Sequence, residues 1–141
     1  MNKLKLGIKV IDEIIGNGLE LHEGCVFNAV YKYYKNGGDP FAFDHPATSP
    51  VPTVVTVNGE KMIGYDQPTM ITSNTTFDEC VYKRSSGLLP GLYYGMMGIK
   101  VGRYRFVRIP PEFMFKNVPF YDLKPNSILK VEIFLLKLRN E

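Results

Sequence analysis

GLLPGLYYGMMGIKVGRYRFVRIPPEFMF, residues 87–115, carries the densest structural signals of the chain. Pro90 suits a first helical turn, where its missing N–H costs nothing. Gly98 and Gly102 stand beyond as stops, so the spacing predicts a short helix over residues 90–97. Gly91 and Gly95 lie inside it and weaken it as an isolated helix. Residues 103–109, RYRFVRI, then read as a strand of strong β-formers interleaved with arginines, and Pro110-Pro111 ends it.

Outward from this stretch, residues 127–138, SILKVEIFLLKL, form the longest apolar strand signal. Leu129, Val131, Ile133 and Leu135 share one side, while Lys130 and Glu132 take the other. Phe134 and Leu136 are apolar on that second side, which predicts a central strand covered on both faces near its end. Residues 25–34, CVFNAVYKYY, alternate as another strand, broken by Asn36-Gly37-Gly38-Asp39-Pro40. A short extended piece, Phe41-Ala42-Phe43-Asp44, follows. HPATSPVP, residues 45–52, has too many prolines for a central strand and reads as loop or edge. Asn58-Gly59 between residues 53–57 and 60–63 predicts a β-hairpin, because both turn residues tolerate positive φ. Residues 65–76 read as polar and turn-rich, residues 77–84 as a strand and residues 112–126 as loop. The expectation is an α+β fold: an antiparallel sheet of five to six strands with one short helix, in a single domain over residues 1–141.

A chain of 141 residues, 45% hydrophobic and 22% charged, has the length of one ordinary domain and enough apolar material to fold without staples. Two Cys and two His exclude a disulfide framework. They match no zinc-site spacing either, so no metal and no cofactor is expected. No serine-nucleophile elbow or phosphate-binding loop is present, and the neighbours Asp44 and His45 point apart on an extended chain. Lysines inside the N-terminal apolar stretch exclude an export signal, and no segment is long and apolar enough for a membrane helix. Together with the two thiols, this predicts a cytoplasmic protein without a membrane partner. Charge is unevenly spread. Residues 1–80 hold six Lys against ten Asp or Glu, whereas residues 81–111 hold Lys83, Arg84, Lys100, Arg103, Arg105 and Arg108 with no acid. That basic segment is the pattern of a phosphate footprint, but its regular strand interleaving favours a solvated face with acidic neighbours from elsewhere in the fold. Nucleic acid is therefore not the expected partner.

The stretch over residues 87–115, followed by PNSILKVEIFLLKL (125–138), resembles the FKBP-type peptidyl-prolyl cis-trans isomerases. The N-terminal half is similar too, at Gly16, Gly18, Gly24, Tyr31, Gly38, Phe43 and Asp44. Between Asp44 and Leu88 the chain is longer than the family usually is, an insertion over about residues 45–76 that contains the Asn58-Gly59 hairpin. The resemblance implies a twisted antiparallel sheet wrapped around one short helix, with an X-Pro peptide held in an apolar cup between them. It assigns catalytic roles to Tyr31, Asp44, Leu89 and Phe115, the backbone N–H of Leu89 receiving the substrate carbonyl. Phe43, Leu88, Leu92, Leu123 and Val131 would contact the substrate. Leu92 stands where the family usually has a floor Trp, Phe115 keeps a ring without its hydroxyl, and Val131 replaces a Phe. The implied activity is isomerisation of X-Pro bonds in peptides or proteins, lowered by these replacements. A non-catalytic FKBP-like binding or chaperone module is the alternative. The implied partners are proline-containing peptides or unfolded protein clients, with macrolide-type ligands a further class.

Overall fold

The computed structural model describes residues 3–5, 7–14, 18–38, 51–66, 74–84, 88–114 and 124–139. Residues at every second position along three long strands are buried together. These strands are β3 (Val26–Lys35), β7 (Arg103–Ile109) and β8 (Leu129–Arg139). With β1 (Lys3–Lys5), β2 (Ile8–Ile14) and β6 (Asn74–Val81) they make a six-stranded sheet in the order β1-β2-β7-β8-β3-β6. Every pairing in it is antiparallel. Register shifts interrupt the β2–β7, β3–β6 and β3–β8 pairings, and such bulges sharpen the twist that lets a sheet wrap an element lying on it.

That element is α1 (Pro90–Gly95), with Pro90 in its first turn. Its Leu92 joins Phe27, Tyr31, Val107, Ile109, Val131 and Ile133 in the main core, on the inner face of the sheet. A single 3₁₀ turn, Pro111–Phe113, follows β7. The short helix and the strands over residues 26–35, 103–109 and 129–139 agree with the sequence expectation. The strand β2 was not foreseen. Its bulge at Ile11 breaks the two-residue period: Ile8 and Val10 point inward, Ile11 is exposed, and Ile14 packs on the outer face.

The insertion forms β4 (Val51–Val57) and β5 (Glu60–Asp66), paired in full register as a separate two-stranded sheet. Asn58 and Gly59 have φ values of 52° and 81°, the left-handed pair that the Asn-Gly signal requires. β5 runs on to Asp66 and β6 begins at Asn74, so part of the stretch read as turn-rich is extended. The hairpin lies on the outer face of the main sheet. Val54 and Ile63 pack against a second small core of Val30, Tyr104 and Phe134, with Leu136 beside it. Lys32 donates to the Pro52 carbonyl at 3.2 Å, and Lys61 pairs with Asp12. This is the cover on β8 that apolar Phe134 and Leu136 foretold.

Candidate substrate site between the helix and the sheet

Close approach of α1 to the sheet depends on glycine. A Cβ on Gly91 would stand 2.7 Å from Ile109 Cγ2 and 3.0 Å from the Phe113 carbonyl oxygen. One on Gly95, a turn later on the same side, would meet Val107 and Ile133 at 3.4 and 3.5 Å. The two glycines that weaken the isolated helix thus let its backbone settle on β7 and β8. The C-terminal end of this short helix, and the turn just beyond it, find a donor on the sheet. Arg105 Nη1 donates to Gly95 O at 3.1 Å and Met97 O at 2.7 Å, and its Nε donates to Glu13 Oε2 at 3.1 Å. A guanidinium here complements the negative end of the helix, and its buried charge is balanced by Glu13. Arg105 was expected on a solvated basic face and is instead 4% exposed. The acidic neighbour from elsewhere in the fold is present, but the solvation is not.

Of the expected site residues, Tyr31, Leu88, Leu92 and Val131 belong to one continuous buried core, and Leu89 packs against it. Phe43, Asp44, Phe115 and Leu123 lie outside the described residues, as do residues 41–50. Tyr31, Leu92 and Val131 are 0–1% exposed. The Tyr31 hydroxyl donates to the Met96 thioether at 2.8 Å, tying β3 to the end of the helix. Burial, reinforced by Tyr33, Cys80 and Tyr82, pushes its ionisation well above the ordinary tyrosine range, so the hydroxyl stays a neutral donor. Met96 was not among the expected residues.

Leu89 is the residue before the helix, with φ −59° and ψ 142°. Its carbonyl accepts from Leu92 N and Tyr93 N, both at 3.0 Å. Among the described residues nothing accepts its own N–H, which leaves one oriented backbone donor beside an apolar floor. Beside the helix runs a row of rings. Tyr82 stacks on Tyr93 at 4.6 Å, Tyr93 meets Tyr94 edge-on at 5.1 Å, and Tyr94 meets Phe113 at 5.8 Å. The Arg84 guanidinium lies 5.6 and 5.5 Å from the ring centres of Tyr93 and Tyr94. Two of these rings belong to the helix itself, and Tyr82 and Phe113 pack against them from either side. The described part of the insertion contributes nothing to this face, since it packs on the opposite side of the sheet. Among the described residues no cluster of three or more His, Cys, Asp or Glu could hold a metal ion. No helix among them is long and apolar enough to cross a membrane.

No family model matches the chain, and no curated protein matches its sequence. Solved structures do. AtFKBP13 is 17% identical with a TM-score of 0.61, the match covering 95% of this chain and 94% of that one. FkpA from Escherichia coli is 20% identical with a TM-score of 0.55, covering 94% of this chain and 47% of its own. A peptidyl-prolyl cis-trans isomerase from Pseudomonas syringae pv. tomato is 13% identical with a TM-score of 0.56, covering 94% of this chain and 74% of that one. The chain spans about half the length of FkpA. At these identities the likeness is one of fold, and on it the chain has the fold of the FKBP-type peptidyl-prolyl isomerases, with an added hairpin on the outer face of its sheet.

Proposed function

We propose that the chain is a peptidyl-prolyl cis-trans isomerase acting on X-Pro bonds of peptides or proteins. The observation that carries this reading is the Leu89 N–H, without an acceptor among the described residues and set beside buried Leu88 and Leu92. The fold shared with a peptidyl-prolyl isomerase of Pseudomonas syringae supports it. The reaction is rotation about a partial double bond, with a barrier of about 18–20 kcal/mol. Twisting the amide removes resonance and makes its carbonyl less polar, so an apolar cup favours the twisted form over the planar one. A single N–H on the substrate carbonyl holds the acyl side while the prolyl side turns. Leu88, Leu92 and Val131 would contact the prolyl ring, with Phe43, Asp44, Phe115 and Leu123 completing the cup. No acid, base or nucleophile is needed.

Replacing Leu89 tests this directly, because its φ of −59° suits proline and its extended ψ suits the residue before Pro90. Leu89→Pro deletes the N–H in place, while Leu89→Ala keeps it and trims the side chain. The expected result is measurable catalysis of a proline tetrapeptide by the parent protein. Leu89→Pro should then lower kcat/KM by about tenfold relative to Leu89→Ala, the worth of one hydrogen bond. A parent rate equal to the uncatalysed rate overturns the proposal.

The near-zero exposure of Tyr31, Leu92 and Val131 favours a second reading, an FKBP-like binding or chaperone module, since a covered floor offers a prolyl ring little surface. Titration with unfolded clients separates the two. A module of this kind binds proline-free and proline-containing clients alike, whereas a prolyl cup prefers the latter.

A further inference from the structure

Across the outer face of the main sheet, at the end away from the β3–β8 bulge, the register lines up bases. Lys9 of β2 pairs with Arg108 of β7, and Arg108 pairs with Lys130 of β8. Lys3 of β1 is the next register partner of Lys9. The neighbours of these residues along their strands, Ile8, Val10, Val107, Ile109, Leu129 and Val131, belong to the inner core, so Lys9, Arg108 and Lys130 share the outer face. Like charges directly opposite one another on a sheet repel. Among the described residues none of these three has an ion-pair or hydrogen-bond partner on its side chain. The nearest acid along β8 on that face, Glu132, is committed elsewhere. Its Oε1 accepts from the Tyr34 hydroxyl and its Oε2 from the Tyr104 hydroxyl at 2.7 Å.

We propose that this row is a docking surface for an acidic segment of a partner protein. Strands lie about 4.8 Å apart, so the register positions of Lys9, Arg108 and Lys130 span about 10 Å, the length of roughly four extended residues. Charge complementarity supplies the carboxylates that no described residue brings to the row. A nucleic-acid strand fits less well, because it also needs open ring faces for base stacking. The two rings flanking the row, Tyr34 and Phe106, are half-buried and hold each other edge-to-face at 5.9 Å. The row lies on the sheet face opposite the helix, so this inference stands apart from the isomerase reading.

The test is fluorescence anisotropy with a labelled, proline-free glutamate peptide, alongside a single-stranded oligonucleotide of equal charge. The peptide is expected to bind at low salt and weaken toward about 0.15 M salt. Arg108→Gln with Lys130→Gln should lose roughly fivefold or more in affinity. Lys83→Gln with Lys137→Gln, the same charge change elsewhere, should lose little. Thermal melting of the row variant is expected at or above that of the parent, because repulsion is relieved. Equal loss in both double variants, tighter binding of the oligonucleotide, no peptide binding by the parent, or a lowered melting point in the row variant would each overturn the proposal.

Discussion

Gly91 and Gly95 occupy the same side of α1, yet an added methyl group meets different surroundings at each. At Gly91 it would lie 2.6 Å from Met114 Sδ, which can swing away, but also 2.7 Å from Ile109 Cγ2 and 3.0 Å from a backbone oxygen, which cannot do so freely. At Gly95 the distances of 3.4 and 3.5 Å are ordinary contacts. Gly91→Ala is therefore expected to destabilise the fold by about 2 kcal/mol through overpacking. Gly95→Ala should be neutral or stabilise it by up to about 1 kcal/mol through helix propensity. Urea unfolding midpoints of the two variants check this, and equal effects would contradict it. The sequence shows both glycines and the helix, but not which of them the sheet presses against. That depends on how far residues 109 and 113 lie from residue 91 in space.

At the scale of elements, the described hairpin of the insertion covers the back of the sheet. Its Val54 and Ile63 cover Tyr104 and Phe134, the polar bonds to Lys32 and Asp12 fix its orientation, and its own outer face leaves Val57 and Met62 exposed. Replacing Val54 and Ile63 together by Ala should destabilise the protein by about 2 kcal/mol, less than a fully buried pair because both are only partly covered. Isomerase activity, if carried on the helix side, should survive at temperatures where the variant stays folded. A paired measurement of unfolding and turnover checks both halves. The hairpin and its turn were legible from Asn58-Gly59 alone, and a covered outer face from Phe134 and Leu136. That the first covers the second was not legible, because no local rule links residues so far apart in the chain. β2 escaped notice for a related reason: a bulge shifts its alternation by one residue, and only the partner strand shows where.

Across the whole molecule, tyrosines link the layers. Tyr31 joins β3 to the helix, Tyr82 donates to Tyr93 O at 2.5 Å, and Tyr34 and Tyr104 hold Glu132 beside the hairpin. Burial comes first among the causes that push all four above the ordinary tyrosine range near 10, aided by Tyr93 at Tyr82 and by Glu132 at Tyr34 and Tyr104. A group whose pKa is raised by folding contributes its stability fully below the unfolded value and loses it as pH rises toward the folded one. Unfolding free energy should therefore show no tyrosine-linked loss up to about pH 10 and fall steeply above it. Urea titrations at stepped alkaline pH measure this, and a flat profile past about pH 11 would contradict it. The sequence by itself determined the helix, the long strands and the hairpin, since each rests on a local period, a proline or a turn pair. Through the motif over residues 87–115 it also pointed to the fold. Only the tertiary structure decided that Arg105 caps the helix instead of meeting solvent, that Leu92 and Val131 lie buried in the main core, and that three bases face one another with no partner among the described residues. Those outcomes depend on strand order and register, which bring together residues that no sequence spacing relates.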